Sequence, residues 1–331
     1  MSLKLRRTAA ATATAALASL LLAAVPAAQA QSTVTLTGMF DLSVGQTQNP
    51  GGAKTKGVES GRMSTSWFGV NGKEDLGGGL YAQFVLESFL RNDTASAGRF
   101  DGDAFWARSA FVGLVGSWGQ LNLGRNTTSL FVNTLVYNAF GDSFGFSPAI
   151  RHWFTSGTTT GDTGWADSVR WLSPKMGGFN ASAHVAAGEG NGGLNGGFTL
   201  GFGEGAFSTG LAYQKVKKGG TVQDTTALQL GLSYDFGPVK LFGQIGQVEN
   251  DSTKLGYDIS GLGVAVPVTA TGKLLAQWGK IKPDTGASRT TWTLGYDYFL
   301  SKRTDLYAVY MDDKLGNASG NNYGLGMRHR F

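Results

Sequence analysis

The last nine residues, Tyr323 to Phe331, read YGLGMRHRF. Tyr323, Leu325, Met327, His329 and Phe331 share one parity, against Gly324, Gly326, Arg328 and Arg330. Successive side chains of a β-strand point to opposite faces, so this segment has one greasy face and one polar face. Chain ends ordinarily fray, and an aromatic residue in the last position of all asks for a partner. The same alternation recurs along the chain. Val34, Leu36, Phe40, Leu42 and Val44 oppose Thr35, Thr37, Asp41 and Ser43. Leu228, Leu230, Leu232 and Tyr234 oppose Gln229, Gly231 and Ser233, and Trp292, Leu294, Tyr296 and Tyr298 oppose Thr291, Thr293, Gly295 and Asp297. No helical period lasts long enough to compete.

Sixteen such segments are expected, starting near residues 33, 64, 79, 105, 119, 166, 178, 196, 205, 225, 238, 253, 268, 288, 303 and 321. Short glycine- and proline-marked turns (EDLGGG, GSWG, SPKMGG, DFGP) alternate with long polar connections such as 46–63 and 92–104. Short turns on one rim and long loops on the other are the pattern of a transmembrane β-barrel, whose strands need about 9–11 residues each. Closure would pair VTLTGMFDLSV near the start with the C-terminal strand and leave no edge exposed. A soluble β-sandwich also alternates. It has no use for aromatics gathered near segment ends, such as Trp118, Phe179, Phe207, Trp171, Trp278 and Trp292. These fit interfacial girdles.

Composition agrees. Charged residues are 15% of the chain, glycines number 51 and there is no cysteine. No apolar run beyond residue 30 is long enough for a spanning helix, which takes about 20 residues. Residues 1–30 have a basic opening (Lys4, Arg6, Arg7), an Ala/Leu-rich stretch and the small-residue site Ala28-Gln29-Ala30. This is the layout of a cleaved signal peptide, leaving 31–331 as one domain. Its removal takes away three basic residues and no acidic one, so a formal charge of +5 includes three that the exported chain lacks. Nucleic acid is not an expected partner.

The segments GKEDLGGGLYAQF (72–84), ARSAFVGLVGSWGQLNLGRNT (107–127), ADSVRWLSPKMGGF (166–179), LGLSYDFGPVKLF (230–242) and the terminal YGLGMRHRF resemble, in order, those of the general porins of Gram-negative outer membranes. The resemblance implies an all-β, 16-stranded antiparallel transmembrane β-barrel with a long third loop folded inward. It implies a homotrimer among lipid and lipopolysaccharide, without cofactor or metal, passing small hydrophilic solutes by passive diffusion. It also implies that the alternation from Tyr323 to Phe331 serves as the signal read by the barrel assembly machinery.

In such a channel the chemistry is a filter, set by charge and width. The gap between Arg125 and Ala166 is far longer than an ordinary loop, and its SLFVNTLVYNAFGDSFGFSP stretch is too apolar to wave in water. A short helical turn is expected from Leu130, ended by Gly141. Asp142 is the sole acid between Arg125 and Asp162 and is the candidate acidic side of the constriction, or else a turn residue. Phe144 and Phe146 are expected to hold the loop to the wall. Arg170 lies between Val169 and Trp171, which read as lipid-facing, so it points into the lumen. Arg125 and Arg108 match family positions that line the pore, but the parity of Arg125 with Leu121 and Leu123 requires a bulge. Trp67 stands where family members often carry arginine, and Asn71 where many carry another basic residue. The basic wall is therefore expected to be thinned, with weak anion preference.

An enzyme has little support: His152, His184 and His329 lie far apart and no nucleophile–base pattern accompanies them. The competing function is a substrate-specific channel for a sugar, carboxylate or aromatic solute, and an adhesive or structural barrel is a third reading.

Overall fold

The computed structural model describes residues 33–188, 192–217 and 222–331, and the expected leader lies outside them. Eighteen strands form one closed antiparallel sheet, of which two are short rim ribbons and sixteen are wall. The wall strands are β1 (Thr33–Thr47), β2 (Trp67–Gly77), β3 (Leu80–Arg91), β4 (Ser109–Gly116), β5 (Gly119–Thr127), β6 (Gly164–Leu172), β7 (Phe179–Ala186) and β8 (Asn195–Glu204). They continue as β9 (Phe207–Val216), β10 (Thr225–Asp235), β11 (Lys240–Asn250), β12 (Leu255–Pro267), β13 (Gly272–Pro283), β14 (Arg289–Phe299), β15 (Thr304–Leu315) and β16 (Ala318–Arg330). Every start lies within four residues of the sequence expectation.

The barrel closes between β1 and β16, with Met39 opposite Arg330 and Gln46 opposite Tyr323. Beyond that ladder Phe331 exchanges both backbone hydrogen bonds with Gly38, each 3.1 Å, and its ring meets Phe40 edge-on at 5.2 Å. The terminal residue is thus tied on both sides of its peptide, which is why the alternation runs to the end of the chain. The connection after β1 departs from expectation. Thr55–Ser60 turns back along β1, with Thr47 opposite Thr55 and Leu42 opposite Ser60. Its polar sequence TKGVES carries no hydrophobic period to announce it.

Burial is inverted relative to a soluble protein. On β10 the exposed residues are Leu228, Leu230 and Leu232, while Gln229 between them is fully buried. On β14 Trp292 and Leu294 are exposed, and Thr291 and Thr293 are buried. The apolar face looks outward to lipid, and the polar face is covered by protein inside the barrel. Trp278 lies opposite Trp292, Trp292 is 5.4 Å from Tyr310 and Tyr310 lies opposite Tyr323, a girdle on the long-loop rim. Phe179, Phe202 and Phe207 make a second cluster on the short-turn rim.

What fills the interior is the chain between β5 and β6. Helix α1 (Ser129–Val136) starts with the Thr128 hydroxyl accepting from the Phe131 N–H. It stops earlier than Gly141, because the Asn138 amide donates to the carbonyls of Thr134 and Gly141 (2.8 and 2.9 Å) and so takes up the helix end. A second short helix, α2 (Pro148–Ile150), opens with the Ser147 hydroxyl and passes into a π turn over Arg151–Thr155.

The wall makes room for this segment with glycine. A Cβ on Gly231 would strike the Tyr137 ring, on Gly246 Trp153, on Gly279 His152, on Gly295 Phe140 and on Gly324 Phe146. Part of the high glycine content is therefore a low track on the inner wall, along which the third loop lies.

Candidate functional site

Polar residues of the third loop face the wall and are bonded there. Asn133 donates to the Gln229 side-chain oxygen at 2.8 Å and to the Gly210 carbonyl at 3.2 Å. Gln229 donates to the Thr134 hydroxyl, and Gln244 to the carbonyls of Thr134 and Tyr137, each at 2.8 Å. The Phe146 carbonyl accepts from Thr293, and Arg151 pairs with Asp313 at 3.1 Å. His152 Nε2 lies 2.8 Å from the Thr291 hydroxyl, which itself donates to Asp313. The Thr291 proton is thus spent on the carboxylate, and His152 is the donor, as the Nε2–H tautomer. Burial drives its pKa down to about 3, with the nearby charges of Arg289 and Arg151 adding to the effect.

Between this loop and the opposite wall remains a cavity of about 790 Å³. One side is basic. Arg108, just before β4, is paired with Glu87 and lies 4.0 Å over the Trp67 ring. Arg91 pairs with Asp101 at 2.5 Å, and Arg99 is held between Asp103 (2.8 Å) and Asp162 (2.7 Å). Arg125 reaches Asp162 and the Ala107 carbonyl, each at 2.5 Å. Burial by itself would raise the carboxyls of Asp103 and Asp162. Hydrogen bonds and charge from Arg99, with Arg125 also acting on Asp162, more than offset it and hold both below the usual carboxylate range. The other side is the loop: Phe131, Val132, Leu135, Phe144 and Phe154, with Asp142 at its tip accepting from the Ser64 hydroxyl at 2.8 Å.

Of the residues singled out in the sequence, Arg108, Asp142 and Phe144 line this cavity. Trp67 lies directly behind Arg108 as the surface on which the guanidinium rests. Arg125 sits behind Asp162, and the register shifts beside it, on the facing strand and not on its own. Between the pairs Gly124–Ser168 and Asn126–Trp165 the extra residue belongs to β6, where Asp167 takes a positive φ of 52°. Arg170 lies apart from the cavity, on the lumen wall between Asn122 and His184. Among the described residues no carboxylate lies within ion-pair distance of it.

The two phenylalanines divide. Phe146 is fully buried against the wall, under the Arg62 guanidinium at 4.8 Å. Phe144 instead stacks on Phe131 of the same loop and lines the cavity, so it does not hold the loop to the wall as expected. The residue two positions on already occupies the slot over Gly324, and the chain turns through 141–146, where the Ser143 hydroxyl accepts from the Phe146 N–H, so the two rings do not share a face as they would on a strand. Arg91, Arg99, Glu87 and Asp162 were not singled out from the sequence. RND and GRFDGD look like ordinary solvated loops, and only the fold brings Asp162 to Arg99, 63 positions away.

A model of the Gram-negative porin family matches residues 13–318. The chain is 34% identical over 309 residues to outer membrane porin protein 32 of Delftia acidovorans, covering 86% of this chain and 85% of that protein. It is 28% identical over 386 residues to an outer membrane porin of Bordetella pertussis, covering 95% and 98%. Among solved structures, an anion-selective porin from Comamonas acidovorans superposes with a TM-score of 0.78 at 28% identity, over 91% of this chain and all of that one. With a solved barrel of Vibrio cholerae at 18% identity and TM-score 0.69, the likeness is one of fold. A closed sixteen-stranded wall, an inward loop and a charged gap beside it are therefore the parts of a channel, and the chain belongs to the Gram-negative porin family as an outer-membrane porin and not an enzyme.

Proposed function

We propose that the pore passes small hydrophilic solutes by diffusion with a weak preference for anions. The observation that carries this is the pairing of charges. Arg91, Arg99, Arg108 and Arg125 each hold a carboxylate, so their field on a passing ion is largely cancelled. Arg170, farther along the lumen wall, has no carboxylate within ion-pair distance among the described residues. The similarity to an anion-selective porin supports the same sign. Arg125, Arg108, Arg170, Asp142 and Trp67 are the residues assigned to selectivity, Trp67 through Arg108. The test is the reversal potential of refolded residues 31–331 in a planar bilayer under a salt gradient. A small anion-selective potential is expected, moving towards zero in Arg170→Gln. A cation-selective potential would overturn the assignment.

We infer that the working unit is a homotrimer embedded among lipid and lipopolysaccharide. The wall strands β4, β5, β6 and β7 have 8 or 9 residues, against 10 to 15 elsewhere. A lipid-facing strand needs about 9–11, so the low side is suited to cover by neighbouring protein. Residues 1–30 are assigned as the export signal, and Phe331 and Tyr323 as the terminal signal for the barrel assembly machinery. Conductance steps arriving in threes support the trimer, and single independent steps would refute it.

A further inference from the structure

Helix α1 is turned inside out for a helix beside water. Its polar residues Ser129, Asn133 and Thr134 are buried against the wall together with Leu130, while Phe131, Val132 and Leu135 face the cavity. Phe144 and Phe154 extend this face. Phe131 stacks on Phe144 with ring centroids 5.7 Å apart and meets Phe154 edge-on at 5.3 Å. A water-filled channel gains nothing from a wall of phenyl rings unless something apolar passes over it, because exposed apolar surface is unfavourable at roughly 25 cal/mol per Å².

Across the cavity stands Arg108, a third of its side chain open to the lumen and its guanidinium plane fixed between Glu87 and the Trp67 ring. Such a preset plane suits a carboxylate better than a flexible lysine does. Of the two acids lining the cavity, Asp162 is paired with Arg99 and Arg125, while Asp142 accepts from the Ser64 hydroxyl and keeps its charge at the tip of the loop.

We propose that the constriction is a weak binding site for aromatic monocarboxylates, the ring lying on Phe131, Phe144 and Phe154 and the carboxylate on Arg108. This rests on the channel reading of the same site and names its substrate class. The cavity of about 790 Å³ holds a phenyl ring, a carboxylate and water together. Chloride or acetate engages only the arginine side and a neutral ring only the loop side, so a solute carrying both groups is retained longest.

The test uses the full exported chain refolded into planar bilayers, with phenylacetate, acetate and benzyl alcohol added in turn to KCl. Phenylacetate is expected to interrupt the current in a concentration-dependent way, and acetate and benzyl alcohol are not. Phe144→Ala and, as a milder change, Phe144→Leu are expected to weaken the block by about threefold to tenfold, the worth of an aromatic contact. Arg108→Gln is expected to weaken block by phenylacetate and leave no discrimination from benzyl alcohol. Equal records for phenylacetate and acetate, or block undiminished in both Phe144 variants, would overturn the proposal while the channel stands. Absence of KCl steps from the unsubstituted protein would instead overturn the channel reading, and this site with it.

Discussion

Trp67 shows how one side chain can replace another's charge with support. A guanidinium over an indole gains about 0.5–1 kcal/mol where exposed and about 2 or more where desolvated, and here the contact also directs Arg108 into the lumen. Trp67→Arg would set a second guanidinium against the Arg108–Glu87 pair. The expected outcome is a larger anion-to-cation permeability ratio, by severalfold, read from the reversal potential. No change would remove Trp67 from any part in selectivity. Gly231 is a different kind of residue effect. A Cβ there would overlap the Tyr137 side chain of the third loop, and overpacking of this sort costs about 1–3 kcal/mol. Gly231→Ala should leave the barrel folded, as judged by heat-modifiable migration, and make single-channel current noisier. A quiet channel would show that the loop tolerates the methyl group.

At the scale of the element, the third loop is seated both by apolar contacts, with Leu130, Phe140, Phe146 and Trp153 buried against the wall, and by polar bonds, and the polar part of its seating responds to charge. His152 is neutral in place, facing Thr291, Asp313, Arg289 and Arg151. Released into water it would titrate near 6.5. The released form therefore binds a proton first. Seating is at full strength above pH 6.5 and is lost as pH falls from there towards about 3, by roughly tenfold in the equilibrium per pH unit. Between pH 6.5 and about 4.5 current fluctuations should grow, and His152→Gln should lose the part of that dependence that His152 contributes. A flat record across this window in the unsubstituted protein would mean the loop stays shut by its other bonds. Helix α1 makes a related point. Its apolar face is plain in SLFVNTLV, yet ordinary amphipathic logic turns such a face towards protein. Only the wall, with Gln229 and Gln244 waiting for its polar side, reverses the sense.

For the whole molecule, closure between β1 and β16 removes the two edges an open sheet would expose. Phe331 contributes through backbone bonds to Gly38 and a ring against Phe40. Phe331→Ala should keep the backbone pairing and remove the ring. The expected result is a refolded barrel with a slightly lower unfolding temperature, together with a much larger loss of protein inserted in the outer membrane of cells. Equal loss in vitro and in vivo would make Phe331 a wall residue and not an assembly signal.

The number of wall strands, their order and the inward or outward sense of most of their side chains were legible in the sequence. A period of two is a local property, and a membrane enforces it on every strand alike. Arg170 could be placed on the lumen side by parity, Asp142 by its position in the long loop, and Arg108 only by its match to a family position. The constriction itself could not. The union of Arg99 with Asp162, the rest of Arg108 on Trp67 and the turn of Phe144 into the cavity join positions far apart in the chain or reverse an expected contact. No periodicity encodes such meetings, because they depend on which groups the closed wall brings within reach of the loop. The polar residues, glycines and apolar patches inside the wall decided how that loop lies, and so which of its faces the solute meets.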